Sequence, residues 1–199
     1  MTATISAPAE PIVAGKTAPN LELRGSDGNP FRLSQGWEGS SNGAVVAFFR
    51  HFGCIFCRQH AVHLRDAYAE FQKRGIAVVA IGVGSVQDAA ELKAWLKLPY
   101  TVLADPEQAG YRAYGLGRGS VMQLASPKVF AAGLKAMAQG NKQVKATGDP
   151  KQLPGTFVVD QYGLVRFAHP ATHAGDLASV ASLLAAIDAY AADCHDVCR

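Results

Sequence analysis

Ala44-Val45-Val46-Ala47-Phe48-Phe49-Arg50-His51-Phe52-Gly53-Cys54-Ile55-Phe56-Cys57 is the stretch that decides the fold. Its first six residues form a continuous apolar run, the pattern of a strand buried on both faces. The last residues open a helical pattern. Cys57, Ala61, Leu64, Tyr68 and Phe71 recur at i, i+4, i+7, i+11 and i+14, one face of a helix. Two thiols one helical turn apart are a dithiol redox centre that can close into a disulfide. The strand-to-helix junction gives them unequal jobs. Cys57 starts the buried stripe, whereas Cys54 precedes it at the helix N-terminus, where free N–H groups and the positive end of the dipole favour a thiolate. Arg50, His51 and Arg58 add positive potential nearby. A thiol so placed has a pKa below the usual ~8.5, and the thiolate is the reactive form. The expected roles are attack by Cys54 and resolution by Cys57.

A chain of 199 residues, 49% hydrophobic and 18% charged, is long and apolar enough for one domain with a real core. A net charge of +3 without a basic block argues against nucleic acid as a partner. No apolar run approaches the ~20 residues of a membrane span, so no membrane is expected. Residues 1–19, rich in Ala, Pro, Thr and Ser, lack the charged and apolar regions of a signal peptide and read as a flexible leader. Residues 20–199 read as a single domain. A reducing cytoplasm is the default location, and there a CxxC is catalytic or metal-binding more often than a static staple.

Outward from the deciding stretch, Leu21–Leu23 and Phe31–Leu33 flank a Gly/Asp/Asn cluster and predict an N-terminal β-hairpin. Residues 34–43 read as a polar loop. The cysteine helix is expected to reach about Arg74, with Gly75 as its cap. Residues 76–81 predict a central parallel strand. Ser85 and Asp88 frame a capping box for a helix to about Lys97. A short strand over 100–103 and a short helix from Pro106 to Tyr114 follow. Ser126-Pro127 starts a helix expected to run to Gln139. Residues 156–160 and 164–168 predict a second hairpin. A closing helix starts near Asp176 and carries Leu177, Val180, Leu184, Ile187 and Ala191. Strands alternating with helices, a CxxC after a βα junction and a late antiparallel hairpin predict an α/β, thioredoxin-like fold with a helical insertion before the last two strands.

Several segments resemble one family. Gly15-x-x-Ala18-Pro19-x-Leu21-x-Leu23, Asp27-Gly28 and Leu33-Ser34 are similar to the N-terminal hairpin of the alkyl hydroperoxide reductase/thiol-specific antioxidant (AhpC/TSA) group. Arg50-x-x-Gly53-Cys54-x-x-Cys57-Arg58 resembles the peroxiredoxin-like branch that includes selenoprotein U and prostamide synthase. The segments 111–120, with Tyr111 and Arg118, 148–153, with Asp149 and Gln152, and 173–176 resemble bacterial members of that branch. The resemblance covers residues 15–192 and implies a thioredoxin fold and a redox role, with a peroxide or a disulfide as oxidant. True peroxiredoxins carry Thr or Ser three residues before the attacking Cys and Pro seven before it. Here His51 and Ala47 stand there, which implies slower peroxide reduction. Thioredoxins place a cis-Pro directly before a Thr facing the disulfide; here Gly155 precedes Thr156, a pair expected to form the substrate-facing loop.

The expected function is therefore a thiol-dependent oxidoreductase that uses the CxxC dithiol to reduce peroxides or disulfides. Its reductant would be a thioredoxin-type protein or a low-molecular-weight thiol. No cofactor and no metal are expected, and a homodimer is left open. The rival is a non-catalytic thioredoxin-like binding module whose CxxC is structural or holds zinc. Cys194 and Cys198 are candidate accessory thiols that also continue the apolar stripe of the last helix, so packing accounts for them without chemistry. His169 and His173 read as solvated loop histidines.

Overall fold

In the computed structural model, residues 10–119, 148–149 and 151–197 are described. The expected insertion helix over 127–139 lies outside them. Strands β1 (Glu22–Gly25) and β2 (Pro30–Arg32) form the N-terminal hairpin, and a short helix α1 (Ser34–Glu38) follows. Then come β3 (Gly43–Phe49), α2 (Ile55–Asp66), α3 (Tyr68–Lys73), β4 (Ile76–Gly82), α4 (Val86–Leu96), β5 (Thr101–Ala104) and α5 (Ala109–Ala113). Strands β6 (Gly155–Asp160) and β7 (Val165–Pro170) and helix α6 (Val180–Val197) close the chain.

The described strands make a seven-stranded sheet in the order β2-β1-β5-β4-β3-β6-β7. Its centre is parallel, because the β3–β4 and β4–β5 pairs are joined by helical crossovers. Both hairpins add antiparallel edges, with β1 against β5 and β6 against β3. Every residue of β3 is buried, as its unbroken apolar run requires. Alternate side chains enter two cores. Val45, Ala47 and Phe49 face α2, α4 and α6, whereas Ala44, Val46 and Phe48 face Trp37, Tyr111 and Tyr114.

Most predicted elements form for the predicted reason. Gly75 takes φ +66°, which only a residue without Cβ adopts cheaply, and ends the cysteine-bearing segment. The Ser85–Asp88 capping box is complete in both directions. The expected single helix to Arg74 is instead two helices with a break at Ala67. The loop expected over 34–43 contains α1, because Leu33 and Trp37, one turn apart, both bury. Gly36 lets that turn press on the sheet, where a Cβ would stand 2.8 Å from Val79 Cγ2. Helix α5 starts at Ala109 rather than Pro106, since the buried Asp105 carboxylate accepts from the Ala109 and Gly110 N–H groups at 2.9 and 2.8 Å. Helix α6 starts four residues after the expected Asp176. Ser179 Oγ accepts from the Ser182 N–H at 3.0 Å at its start, and the buried stripe is Leu183, Ile187 and Tyr190.

The described end of the expected leader is hydrogen-bonded to the body of the fold. The backbone N–H groups of Ile12, Gly15 and Ala18 donate to Tyr114, Val165 and Gly163, and Lys16 accepts from Val165. Ile12 is thus tied to the end of α5 and residues 15–18 to the turn end of the second hairpin, and Ala18 is buried. Over residues 12–18 backbone pairing holds a segment whose composition reads as loose.

One packing contact carries the sheet's geometry into the loop before Cys54. A Cβ on Gly82, the last residue of β4, would stand 2.3 Å from Phe52 Cε1, and Phe52 is buried. Gly82→Ala is expected to destabilise the reduced protein by ~1–3 kcal/mol through overpacking. A lower urea midpoint with an unchanged slope would show it; an unchanged midpoint would mean that the Phe52 ring moves aside freely.

Candidate active site

Cys54 is the N-cap of α2, with extended backbone (φ −72°, ψ 125°). No side chain caps this helix end, so the first N–H groups are open to an acceptor placed there. The Cys54 sulfur stands at that end, where the N–H groups of Phe56 and Cys57 favour its anion. Cys57 lies one turn into the helix, and both are free thiols. Cys54 is 1% exposed and Cys57 wholly buried.

Arg50 ties the two together. It is the first residue after β3 and is itself only 8% exposed. Its backbone N–H donates to Cys57 Sγ at 3.1 Å, and its Nη1 donates to Cys54 Sγ at 3.7 Å. Its Nε donates to the Gln152 carbonyl at 3.1 Å. Gln152 is held in turn by its amide, which donates to the carbonyls of Leu116, Gly117 and Leu153 at 3.3, 3.0 and 3.1 Å. Beside it, Arg118 and Asp149 pair at 2.6 Å. Arg58 folds back over the loop, where its Nε donates to the Phe52 carbonyl at 3.0 Å.

The environment separates the two thiols. The hydrogen bond from the Cys57 thiol lowers Cys54 most, Arg50 and the helix N–H groups add to it, and together they outweigh burial and bring Cys54 down to about 6. Cys57 moves the other way: burial, the same hydrogen bond and the Cys54 charge raise it well above an ordinary thiol. His51 is buried, and burial together with Arg50 and Arg58 lowers it to about 4, so it is neutral near pH 7. Its Nδ1 is one of two buried side-chain polar atoms without a hydrogen-bond partner among the described residues; the other is the Tyr114 hydroxyl.

All five central residues expected from the sequence thus meet at one place: Cys54, Cys57, Arg50, His51 and Arg58. Gly155 and Thr156 do not form a loop. They are the first residues of β6, buried, with Thr156 opposite Ala47 on one side and His169 on the other. The β3–β6 ladder extends to the Phe48–Gly155 pair, so the position expected to be loop is sheet. Gly155 is the close-packed end of that ladder, where a Cβ would stand 2.5 Å from Leu116 Cδ2. Cys194 lies in the last part of α6, far along the chain from the helix start that carries the CxxC, and Cys198 is outside the described residues. Among the described residues no group of three or more His, Cys, Asp or Glu side chains is arranged to hold a metal ion. No helix there is long and apolar enough to cross a membrane.

Three participants escaped the sequence reading. His60, one turn after Cys57, is buried, with its Nε2 3.4 Å from Thr156 Oγ1. Burial, His63 and His169 lower it to about 4. Its place between Cys57 and Ala61 on the buried face was the available signal. The Tyr111 hydroxyl donates to the carbonyls of Phe49 and Ile81, pinning the ends of β3 and β4 below the site. Gln152 supplies the Arg50 acceptor, and only the resemblance of its segment marked it. His169, expected to be a solvated loop residue, is in β7 and pairs with Asp176 at 2.9 Å.

The chain is similar to known proteins in sequence and in fold. The AhpC/TSA family matches residues 14–168. A thioredoxin-like protein AAED1 of Arabidopsis thaliana, chloroplastic, is 36% identical over 123 residues, 62% of this chain and 47% of that protein. A chloroplastic peroxiredoxin Q of Oryza sativa is 27% identical over 83% of this chain and 64% of its own. The chain therefore spans about half to two thirds of the length of these relatives. Among solved structures, peroxidoxin BcpB of Mycobacterium tuberculosis superposes with a TM-score of 0.67 at 22% identity, covering 89% of this chain and 97% of that one. That likeness confirms the thioredoxin-like fold.

The titration pattern has a consequence for stability. Cys54 binds its proton less tightly folded than unfolded, so it adds stability that is complete above the unfolded thiol value and lost as pH falls through about 6. His51 and His60, buried neutral, remove stability as pH falls from their unfolded value near ~6.5 toward about 4. The reduced protein is expected to gain stability from pH 4 to pH 8, and Cys54→Ser to flatten the part above pH 6. Urea midpoints across that range measure both; a wild-type curve as flat as that of Cys54→Ser above pH 6 would refute the Cys54 assignment.

Proposed function

Because the chain belongs to the AhpC/TSA family, we propose that it is a thiol peroxidase in which Cys54 attacks the oxidant and Cys57 resolves the product. The observation that carries the reading is the split between two thiols in hydrogen-bond contact, one lowered to about 6 and the other raised. At neutral pH the pair holds one proton, and that proton sits on Cys57. A nucleophile and its resolver are thereby set before any oxidant arrives.

The chemistry balances on these groups. The Cys54 thiolate attacks one peroxide oxygen and the O–O bond breaks, leaving Cys54 as a sulfenic acid and the second oxygen as an alkoxide or hydroxide that takes a proton. Cys57 then attacks the Cys54 sulfur, the S–O bond breaks, and its thiol proton leaves in the water released. Two electrons from an external thiol, either a thioredoxin-type protein or a small thiol, restore the pair. Arg50 and Arg58 supply positive charge to the thiolate and to the departing oxygen. The unpartnered Nδ1 of neutral His51, at the position where the family pattern has Thr or Ser, is available to accept a hydrogen bond from a hydroperoxide.

Burial favours peroxide over a protein disulfide as the oxidant. Cys54, 1% exposed, is within reach of a molecule the size of hydrogen peroxide after a small opening, whereas a protein disulfide needs the helix start displaced. A cytoplasmic location fits the reduced thiols on which this chemistry depends.

Stopped-flow oxidation of reduced protein, with thiol counting and dimedone trapping, tests the proposal. Hydrogen peroxide should consume two thiols in wild type and none of that pair in Cys54→Ser. Cys57→Ser should accumulate a trapped sulfenic acid on Cys54. With His51 and Ala47 in the family's Thr and Pro positions, the rate constant should fall far below the diffusional ~10⁸ M⁻¹s⁻¹. Turnover of Cys57→Ser at the wild-type rate would remove Cys57 from the mechanism. Retained thiols under excess peroxide, with rapid loss to a protein disulfide, would replace peroxidase by exchange.

A further inference from the structure

The positive charge beside Cys54 comes from two arginines held in different ways. Arg50 is buried and fixed by Gln152. Arg58 is half-buried, on the outer side of α2, and its long side chain loses much rotamer freedom to stay folded over the loop. Its guanidinium carbon lies 4.5 Å from the ring centroid of Trp95, the geometry of a cation–π stack. Trp95 belongs to α4, whose Leu92 and Leu96 are buried against the sheet, so the position of the indole is set by the core. The indole itself is 55% exposed, one of three large apolar side chains so exposed among the described residues. The stack and the Phe52 carbonyl clamp the guanidinium from two sides. Arg58 stands one turn along α2 from Cys54, its backbone N–H donating to the Cys54 carbonyl at 3.0 Å; burial lowers its guanidinium and the Cys54 charge opposes that, so the two groups act on each other.

We propose that Trp95 is a positioning residue for Cys54: it stacks on Arg58 and so keeps that cation folded over the Phe52–Cys54 loop, beside the thiolate. This rests on Cys54 being the reactive thiol. Trp95 carries no charge. The charged and titratable groups around the sulfur are Arg50 from the end of β3, His51 from the loop, and Cys57 and Arg58 from α2. Removing the indole therefore changes the Cys54 titration only through Arg58.

The test is alkylation of the reduced full-length protein by iodoacetamide as a function of pH, mapped to each cysteine by mass spectrometry. Trp95→Leu should raise the Cys54 midpoint by about half to one pH unit, a roughly 2- to 5-fold loss of labelling near pH 6. Trp95→Phe, which keeps an aromatic face, should restore most of it. Arg58→Met should give the same rise, and adding Trp95→Leu to it should add nothing. Trp95→Leu with a wild-type midpoint, or an equal further shift in the Arg58→Met background, would overturn the inference and leave the peroxidase reading standing. Wild-type Cys54 titrating as an ordinary thiol, or labelled after Cys57, would overturn both. Because Trp95 is exposed, its loss leaves the core intact, and equal urea midpoints for the three single variants would show that the shift is not unfolding.

Discussion

Arg50 is the residue on which the site depends. It stands where β3 leaves the sheet, and three of its donors go to three different parts of the chain. The backbone N–H goes to Cys57, the guanidinium to Cys54 and the Nε to the Gln152 carbonyl more than a hundred residues away. A cation this buried is tolerated only if its donors are matched, and here a sulfur anion supplies the countercharge. The fully buried β3, paired on both sides, fixes where Arg50 emerges, and α2 fixes where the sulfurs stand relative to it.

The departures from the family pattern also follow from β3. Ala47 occupies the position of the family's proline, and it pairs with Ala80 in β4 and Thr156 in β6. A proline there has no N–H to give to a central ladder, whereas Ala47 lets the strand run on to Phe49. His51 then falls in the short loop between the strand and Cys54, with its backbone carbonyl accepting from the Cys54 N–H at 3.1 Å. Ala47 keeps the ladder continuous, and His51 fills the loop with a buried imidazole.

What the sequence made legible was what depends on local pattern. The apolar runs of β3 and β4, the Ser85 capping box, the two hairpins and the cysteine stripe all carry their signal within a few residues. The misreadings share a physical cause, which is that tertiary burial reassigned ambiguous segments. Trp37 turned a polar loop into α1, the β3–β6 ladder absorbed Gly155 and Thr156, and packing against the sheet chose Leu183 over Leu184 as the inner face of α6. The site divides the same way. Cys54, Cys57 and the flanking Arg50, His51 and Arg58 lie within nine residues, so sequence proximity sufficed. Gln152, Tyr111 and Trp95 come to it from distant segments, and single-chain periodicity holds no record of such meetings.

The bond between Arg50 and the Cys54 sulfur also bears on electron affinity. A buried guanidinium that stabilises a thiolate does not stabilise the neutral sulfur of a disulfide. Every increment by which Arg50 and the helix N–H groups favour the anion is lost when Cys54 joins Cys57, while Arg50 stays buried. In the disulfide proposed above, this stabilisation of the thiolate favours the reduced state and would move the reduction potential of the couple upward. The features that lower the Cys54 thiol would therefore also make such a disulfide easier to reduce.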